Sequence, residues 1–172
     1  LALLKTAEQY GSRVDVVDSV VRSNTQRKAE MAERVVAACD GSVDGKKIAI
    51  LGLTFKAETD DMRDSPSLDI IPALQRKGAI IQAYDPKGME EAEKLLDNID
   101  WKSNIFDAME DADAAVIVTE WNEFRAFDLN RAKEALKRPV IVDLRNLYNP
   151  AVMRENGLTY HSIGRPAVTV EQ

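Results

Sequence analysis

"KIAILGLTFKAETDDMRDSP", residues 47–66, sets a short apolar run against a loop dense in charge, and the passage from one to the other decides the fold. The run is too short for a helix and reads as a strand over 47–53, buried on both faces. Runs of the same kind recur as "AIIQAYD" (79–85), "AAVIVTE" (114–120) and "PVIVDL" (139–144), with β-branched residues prominent. "LTYHSIG" (158–164) predicts a last edge strand, and the residues after it read as a tail. Helical stretches lie between them: "PSLDIIPALQRKG", "GMEEAEKLLDN" and "LNRAKEALKR". The first of these opens with Ser65 as a cap and Pro66 at the first helical position, while Pro72 removes a hydrogen bond further in. Strand and helix alternating at this pitch predict an α/β, Rossmann-like doubly wound parallel sheet.

A long helix precedes the sheet. Residues 1–10 predict a short helix stopped by Gly11, and from Val14 to Asp40 there is neither glycine nor proline. Val14, Val17, Val21, Met31 and Val35 follow a three-four spacing interrupted at Asn24 and Lys28. A second partial stripe, Val16, Val20 and Val36, leaves more apolar surface than one short neighbour covers. The long helix is therefore expected to pack against another domain or a second copy, the alternative being that it lies on its own domain. "DGSVDGK" (40–46) marks a boundary, dividing the chain into a helical connector over 1–44 and a sheet domain over 45–172.

Composition narrows the function classes. The 172 residues carry a formal net charge of −6, so no basic excess is available to displace counterions from nucleic acid. One cysteine, Cys39, and one histidine, His161, provide neither a disulfide framework nor a zinc ligand set. No apolar run approaches the roughly 20 residues that span a bilayer, so no membrane partner is expected and a cytoplasmic setting is.

Ligands of open parallel sheets bind at the carboxyl ends of the strands, which directs attention to the loops that follow them. Lys56 and Arg145 are expected at that rim, where two cations suit a diphosphate, with Phe55 offering a flat surface to a base or sugar. Asp60, Asp61 and Asp64 match no metal-binding spacing and are read as partners of Arg63 or of the following helix N-terminus. Asp85 stands where a dinucleotide fold places its ribose-binding acid. Without a G-x-G-x-x-G turn it is read instead as a turn former with Pro86. Cys39 and His161 are read as packing residues, and no acid-base pair, triad or metal site is evident.

In order along the chain, "GKKIAILGLTFKAETDDMRDSPSLDIIPAL", "AYDP", "ADAAVIVTEWNEF" and "VIVDLRNLY" closely resemble the C-terminal nucleotide-sugar domain of the UDP-glucose/GDP-mannose dehydrogenase family, in particular its UDP-glucose 6-dehydrogenases. "VVDSVVRSNTQRKAEMAERVV" resembles that family's central dimerisation helix. The resemblance implies oxidation of UDP-glucose to UDP-glucuronate with two NAD, through a cysteine-held aldehyde and thioester. It further implies that Phe55, Lys56 and Arg145 contact the UDP-sugar, and that Arg63 reaches NAD held by an N-terminal domain. That domain's glycine-rich turn and the family's "GGSCFPKD" cysteine segment are not in this sequence, and Cys39 does not match that cysteine. A fragment, inactive alone and dimeric through the long helix, is the expectation. A stand-alone nucleotide-binding and dimerisation module is the competing one, as is the same part of a GDP-mannose or UDP-N-acetyl-sugar dehydrogenase.

Overall fold

A computed structural model describes residues 2–170. Helices α1 (Ala2–Gln9) and α2 (Asp15–Ala38) lead into strand β1 (Lys47–Leu51). There follow α3 (Ser67–Arg76), β2 (Ile80–Tyr84), α4 (Met89–Ala92), β3 (Ile99–Trp101), α5 (Ile105–Met109) and β4 (Ala114–Ile117). A 3-10 turn (Asn122–Arg125), α6 (Leu129–Ala135), β5 (Val140–Asp143), α7 (Pro150–Glu155) and β6 (Thr159–Ser162) complete the order. The six strands form one sheet, β3-β2-β1-β4-β5-β6, and every neighbouring pair is parallel. This is the expected doubly wound arrangement, and its order reverses between β1 and β4.

Alternation along each strand feeds two apolar layers. Ile48 and Ile50 of β1 pack with Met31 and Val35 of α2 and with Ile70 and Leu74 of α3. Ala49 and Leu51 face the other way, toward Met109 of α5, Ala132 of α6 and Met153 of α7. Gly52 ends β1 at φ +86, where a Cβ would stand 2.5 Å from the Thr119 Cβ and 2.7 Å from its backbone nitrogen. That glycine lets the β1 loop cross the end of β4.

Only the second half of α2 joins this core: Met31, Ala32, Val35 and Ala38 are buried. Lys28 to Asp69 and Glu33 to Lys77 add ion pairs between α2 and α3. In the first half, Val16 is 79% and Val20 53% exposed. The second half of the long helix thus lies on its own domain, while the first half leaves Val16 and Val20 exposed.

Several expectations shift. Ser65 does act at the start of α3, accepting from the Ser67 amide while its hydroxyl donates to the Leu53 carbonyl, and the helix runs through Pro72 to Arg76. The stretch over 88–98 is helical only at Met89–Ala92. Three elements were not anticipated: β3, α5 and α7. β3 is three residues long with no residue fully buried, too brief for alternation to register. The tail is not free. Val168 exchanges both backbone hydrogen bonds with Tyr160, covering part of the exposed β6 edge.

Candidate functional site at the carboxyl edge

Two buried carboxylates organise the loops at the carboxyl edge. Asp85, just past β2, accepts from the Leu53 amide at 2.7 Å and the Trp121 indole Nε1 at 3.0 Å through Oδ2. Its Oδ1 accepts from the Lys87 and Gly88 amides. One side chain therefore ties the loops after β1, β2 and β4. The turn expected at Asp85-Pro86 is present, but the larger part of the residue's role is this cross-linking, with both oxygens engaged inside the protein.

Asp143 ends β5 and does the same for the next loop. Its Oδ1 accepts from the Arg145 amide, and its Oδ2 from the Leu147 and Tyr148 amides and the Tyr160 hydroxyl at 2.7 Å. Burial and the neighbouring Asp143 raise the phenols of Tyr148 and Tyr160 above their ordinary range. Tyr148 donates to the Phe124 carbonyl, fastening the β5 loop to the 3-10 turn after β4.

Between these loops and the middle of α2 lies a cleft of about 460 Å³. Phe55 and Arg145 both line it, as expected from strand order, with Val118 and Leu144 at the sheet and Pro66 and Ile70 from α3. Phe55 is 51% exposed. Arg145 Nη2 lies 2.5 Å from Glu120 Oε2, both side chains being partly accessible, so the guanidinium is oriented yet reachable. From α2 come Asn24, Thr25, Arg27 and Lys28, polar residues that sequence reading did not assign to the site. Their signal was the interruption of the apolar spacing at Asn24 and Lys28. Lys28 also spans to α3, its Nζ 3.2 Å from the Asp64 carbonyl and 2.9 Å from Asp69 Oδ2.

The other two candidates lie elsewhere on the same loop. Lys56 is exposed and is not among the residues that line the cleft. Arg63 lines a separate open depression with Thr59, Leu68 and Glu91. It forms a fork to Asp61, Nε to Oδ1 at 2.9 Å and Nη2 to Oδ2 at 2.8 Å, which holds the Asp61 carboxyl down at about 2. Among the described residues no group of three or more His, Cys, Asp or Glu is placed to hold a metal ion. Cys39 is buried and its thiol is pushed up by that burial, while His161 is half-buried, which lowers its imidazole pKa.

Residues 49–150 match the family described as "UDP-glucose/GDP-mannose dehydrogenase family, UDP binding domain". The UDP-glucose 6-dehydrogenase of Rhizobium meliloti (strain 1021) is 49% identical over 166 residues, which are 96% of this chain and 38% of that protein. UDP-glucose 6-dehydrogenase TuaD of Bacillus subtilis (strain 168) is 41% identical, across 97% of this chain and 36% of its own length. The chain thus spans less than two fifths of either relative. Among solved structures, a UDP-glucose dehydrogenase from Pyrobaculum islandicum superposes with a TM-score of 0.70 at 25% identity, covering 83% of this chain and 31% of that one. An NDP-N-acetyl-D-galactosaminuronic acid dehydrogenase from Methanosarcina mazei Go1 shares the fold with a TM-score of 0.80 at 24% identity, over 95% of this chain and 36% of that one. With a family match over most of the sheet and a cleft at the carboxyl edge where that sheet reverses its order, the chain belongs to the UDP-glucose/GDP-mannose dehydrogenase family.

Proposed function

We propose that this chain is the UDP-sugar-binding part of an NAD-dependent UDP-glucose 6-dehydrogenase, the enzyme that oxidises UDP-glucose to UDP-glucuronate. The observation that carries the reading is the cleft itself, in which Phe55 and Arg145 meet the polar middle of α2 at the carboxyl edge. Its volume of about 460 Å³ falls in the range of small-molecule sites. Phe55 offers a flat apolar face to the sugar or base, and Arg145, steadied by Glu120, supplies a fork of donors to a phosphate or hydroxyl. Lys56, exposed on the same loop, would reach the ligand from outside the lining.

Arg63 fits a contact with a cofactor phosphate from the opposite side of the loop. Its side chain is 89% exposed, and Asp61 holds it in place. NAD, bound mainly by an N-terminal domain, would accept the hydride. Sugar oxidation through a thioester also needs a nucleophilic cysteine beyond this chain, because Cys39 lies buried in the apolar layer under α2. The chain alone is accordingly inactive in this reading. Dimerisation through the first half of α2 belongs to the same proposal and is supported by exposed Val16 and Val20. So does a cytoplasmic setting.

Calorimetric titration of the chain with UDP, GDP, UDP-glucose and GDP-mannose tests the assignment. Uridine ligands are expected to bind more tightly, and a preference for GDP would replace the substrate. Turnover of UDP-glucose with NAD by the 172-residue chain alone would overturn the assignment of the reactive cysteine to another segment.

A further inference from the structure

A second cavity, of about 160 Å³, lies between the second half of α2 and the carboxyl ends of β5 and β6, separated from the cleft by the shared wall of Leu144. Its charged and titratable lining is entirely basic: Arg34 from α2, His161 from β6 and Arg165 from the segment after it. Ala37 and Ala167, small residues on opposite sides, leave the space open. We propose that this cavity is a binding site for a small oxyanion of the phosphate class, held by Arg34, His161 and Arg165.

The surrounding charges favour an anion here even though the chain as a whole carries −6. Among the described residues Arg34 has neither an ion pair nor a side-chain hydrogen bond, and Arg165 makes one, from Nη1 to the Tyr148 carbonyl at 3.2 Å. The acids nearest in sequence are committed elsewhere. Glu30 accepts from Gln26, Glu33 pairs with Lys77, and Asp40 pairs with Arg138. Asp143 is on the neighbouring strand, but it stands in register with Ser162, whereas His161 stands opposite Val142. Strand alternation therefore turns Asp143 to the other face, where its oxygens accept from three amides and Tyr160. No acidic side chain lines the cavity, and burial lowers the His161 imidazole pKa.

Size selects the ligand. The cavity far exceeds the ~15 Å³ that admits one water, yet it falls below the ~300 Å³ at which sites for larger organic ligands begin. A tetrahedral oxyanion could accept from both guanidiniums and from a protonated imidazole. Binding there would also fasten the segment around Arg165 to α2. The proposal does not depend on what occupies the larger cleft.

Amide and histidine NMR of the 172-residue chain, titrated with inorganic phosphate against chloride at constant ionic strength, tests it. Saturable shifts at Ala37, His161 and Ala167 in the millimolar range are expected, together with a rise in the His161 pKa when phosphate is present. Replacing both arginines, Arg34→Gln with Arg165→Gln, should weaken the phosphate response about tenfold or more. A parallel titration with UDP distinguishes a free anion from a nucleotide phosphate. UDP should move Phe55 and Arg145 and leave His161 largely unmoved. No saturable shift in wild type, an unchanged His161 pKa in phosphate, an equal response in the folded double variant, or a stronger response of His161 to UDP than to phosphate would each overturn the site. The wild-type His161 titration decides the matter even if the double variant fails to fold.

Discussion

Val35 and Val16 share one helix and one residue type, yet Val35 is sealed beneath the sheet while Val16 is 79% exposed. Helical periodicity separates their faces, Val35 on the main apolar stripe and Val16 on the second, but it does not report how far along the helix the neighbour extends: Val36, on the same stripe as Val16, is partly buried against the core. The sheet domain covers α2 only from about Met31 onward. Polar residues at the changeover, Asn24, Thr25, Arg27 and Lys28, line the cleft. One helix therefore supplies core at one end, site wall in its middle and uncovered apolar surface at the other.

The sharpest test of that division is a charge at each end. Val35→Asp places an unpaired carboxylate in the core and should cost at least about 3 kcal/mol, read as a lower urea midpoint. Val16→Asp should change the unfolding free energy of the monomer by no more than about 0.5 kcal/mol. In sedimentation it should shift any dimer toward monomer. If Val16→Asp unfolds the chain as Val35→Asp does, the two halves are not energetically distinct.

A similar contrast separates Asp85 from Asp61. Asp85→Ala leaves the Leu53 and Gly88 amides and the Trp121 indole without their acceptor, and a loss of about 3 kcal/mol in urea unfolding is expected. Asp61→Ala, in an exposed loop pair, should leave that midpoint nearly unchanged. The difference was not legible in the sequence, where both are acids near turns. Asp85 becomes a hub only when three loops from distant positions converge on it, a property of topology and not of local pattern.

The strands with long apolar runs were legible because burial on both faces leaves continuous apolar sequence. β3 was not, since three half-covered residues carry no pattern. α5 and α7 are likewise too short for helical periodicity, although each is announced by a cap. Asn104 accepts from the Phe106 and Asp107 amides, and Asn149 accepts from the Ala151 amide ahead of Pro150. At the site, the rule of strand ends led to Phe55 and Arg145. It could not lead to Asn24 or Arg27, which reach the cleft from a helix outside the βα order.

Within the loop after β1, the cleft side and the Arg63 side should respond differently to ligand. Arg145→Ala should weaken UDP binding by roughly 10- to 100-fold in calorimetry, the scale of one charge-assisted hydrogen-bonded fork. Arg63→Ala should leave UDP binding by this chain unchanged, because its guanidinium lies in the other depression. Equal losses would mean that the two sides form one site.

The smallest expected effect concerns the fork between Arg63 and Asp61. The Asp61 carboxyl falls from 3.8 to about 2 when folded, chiefly through its side-chain hydrogen bonds from Arg63. Its contribution is therefore fully present above pH 3.8 and disappears as pH falls through about 2, slight in size because the pair is exposed. Carboxyl-carbon NMR should place the Asp61 midpoint near 2 in the wild type and bring it toward 3.8 in Arg63→Gln. A wild-type midpoint already at 3.8 would mean that Arg63 is not held by Asp61 in solution, leaving its guanidinium free to swing toward the cleft and erasing the separation between the two sides of the loop.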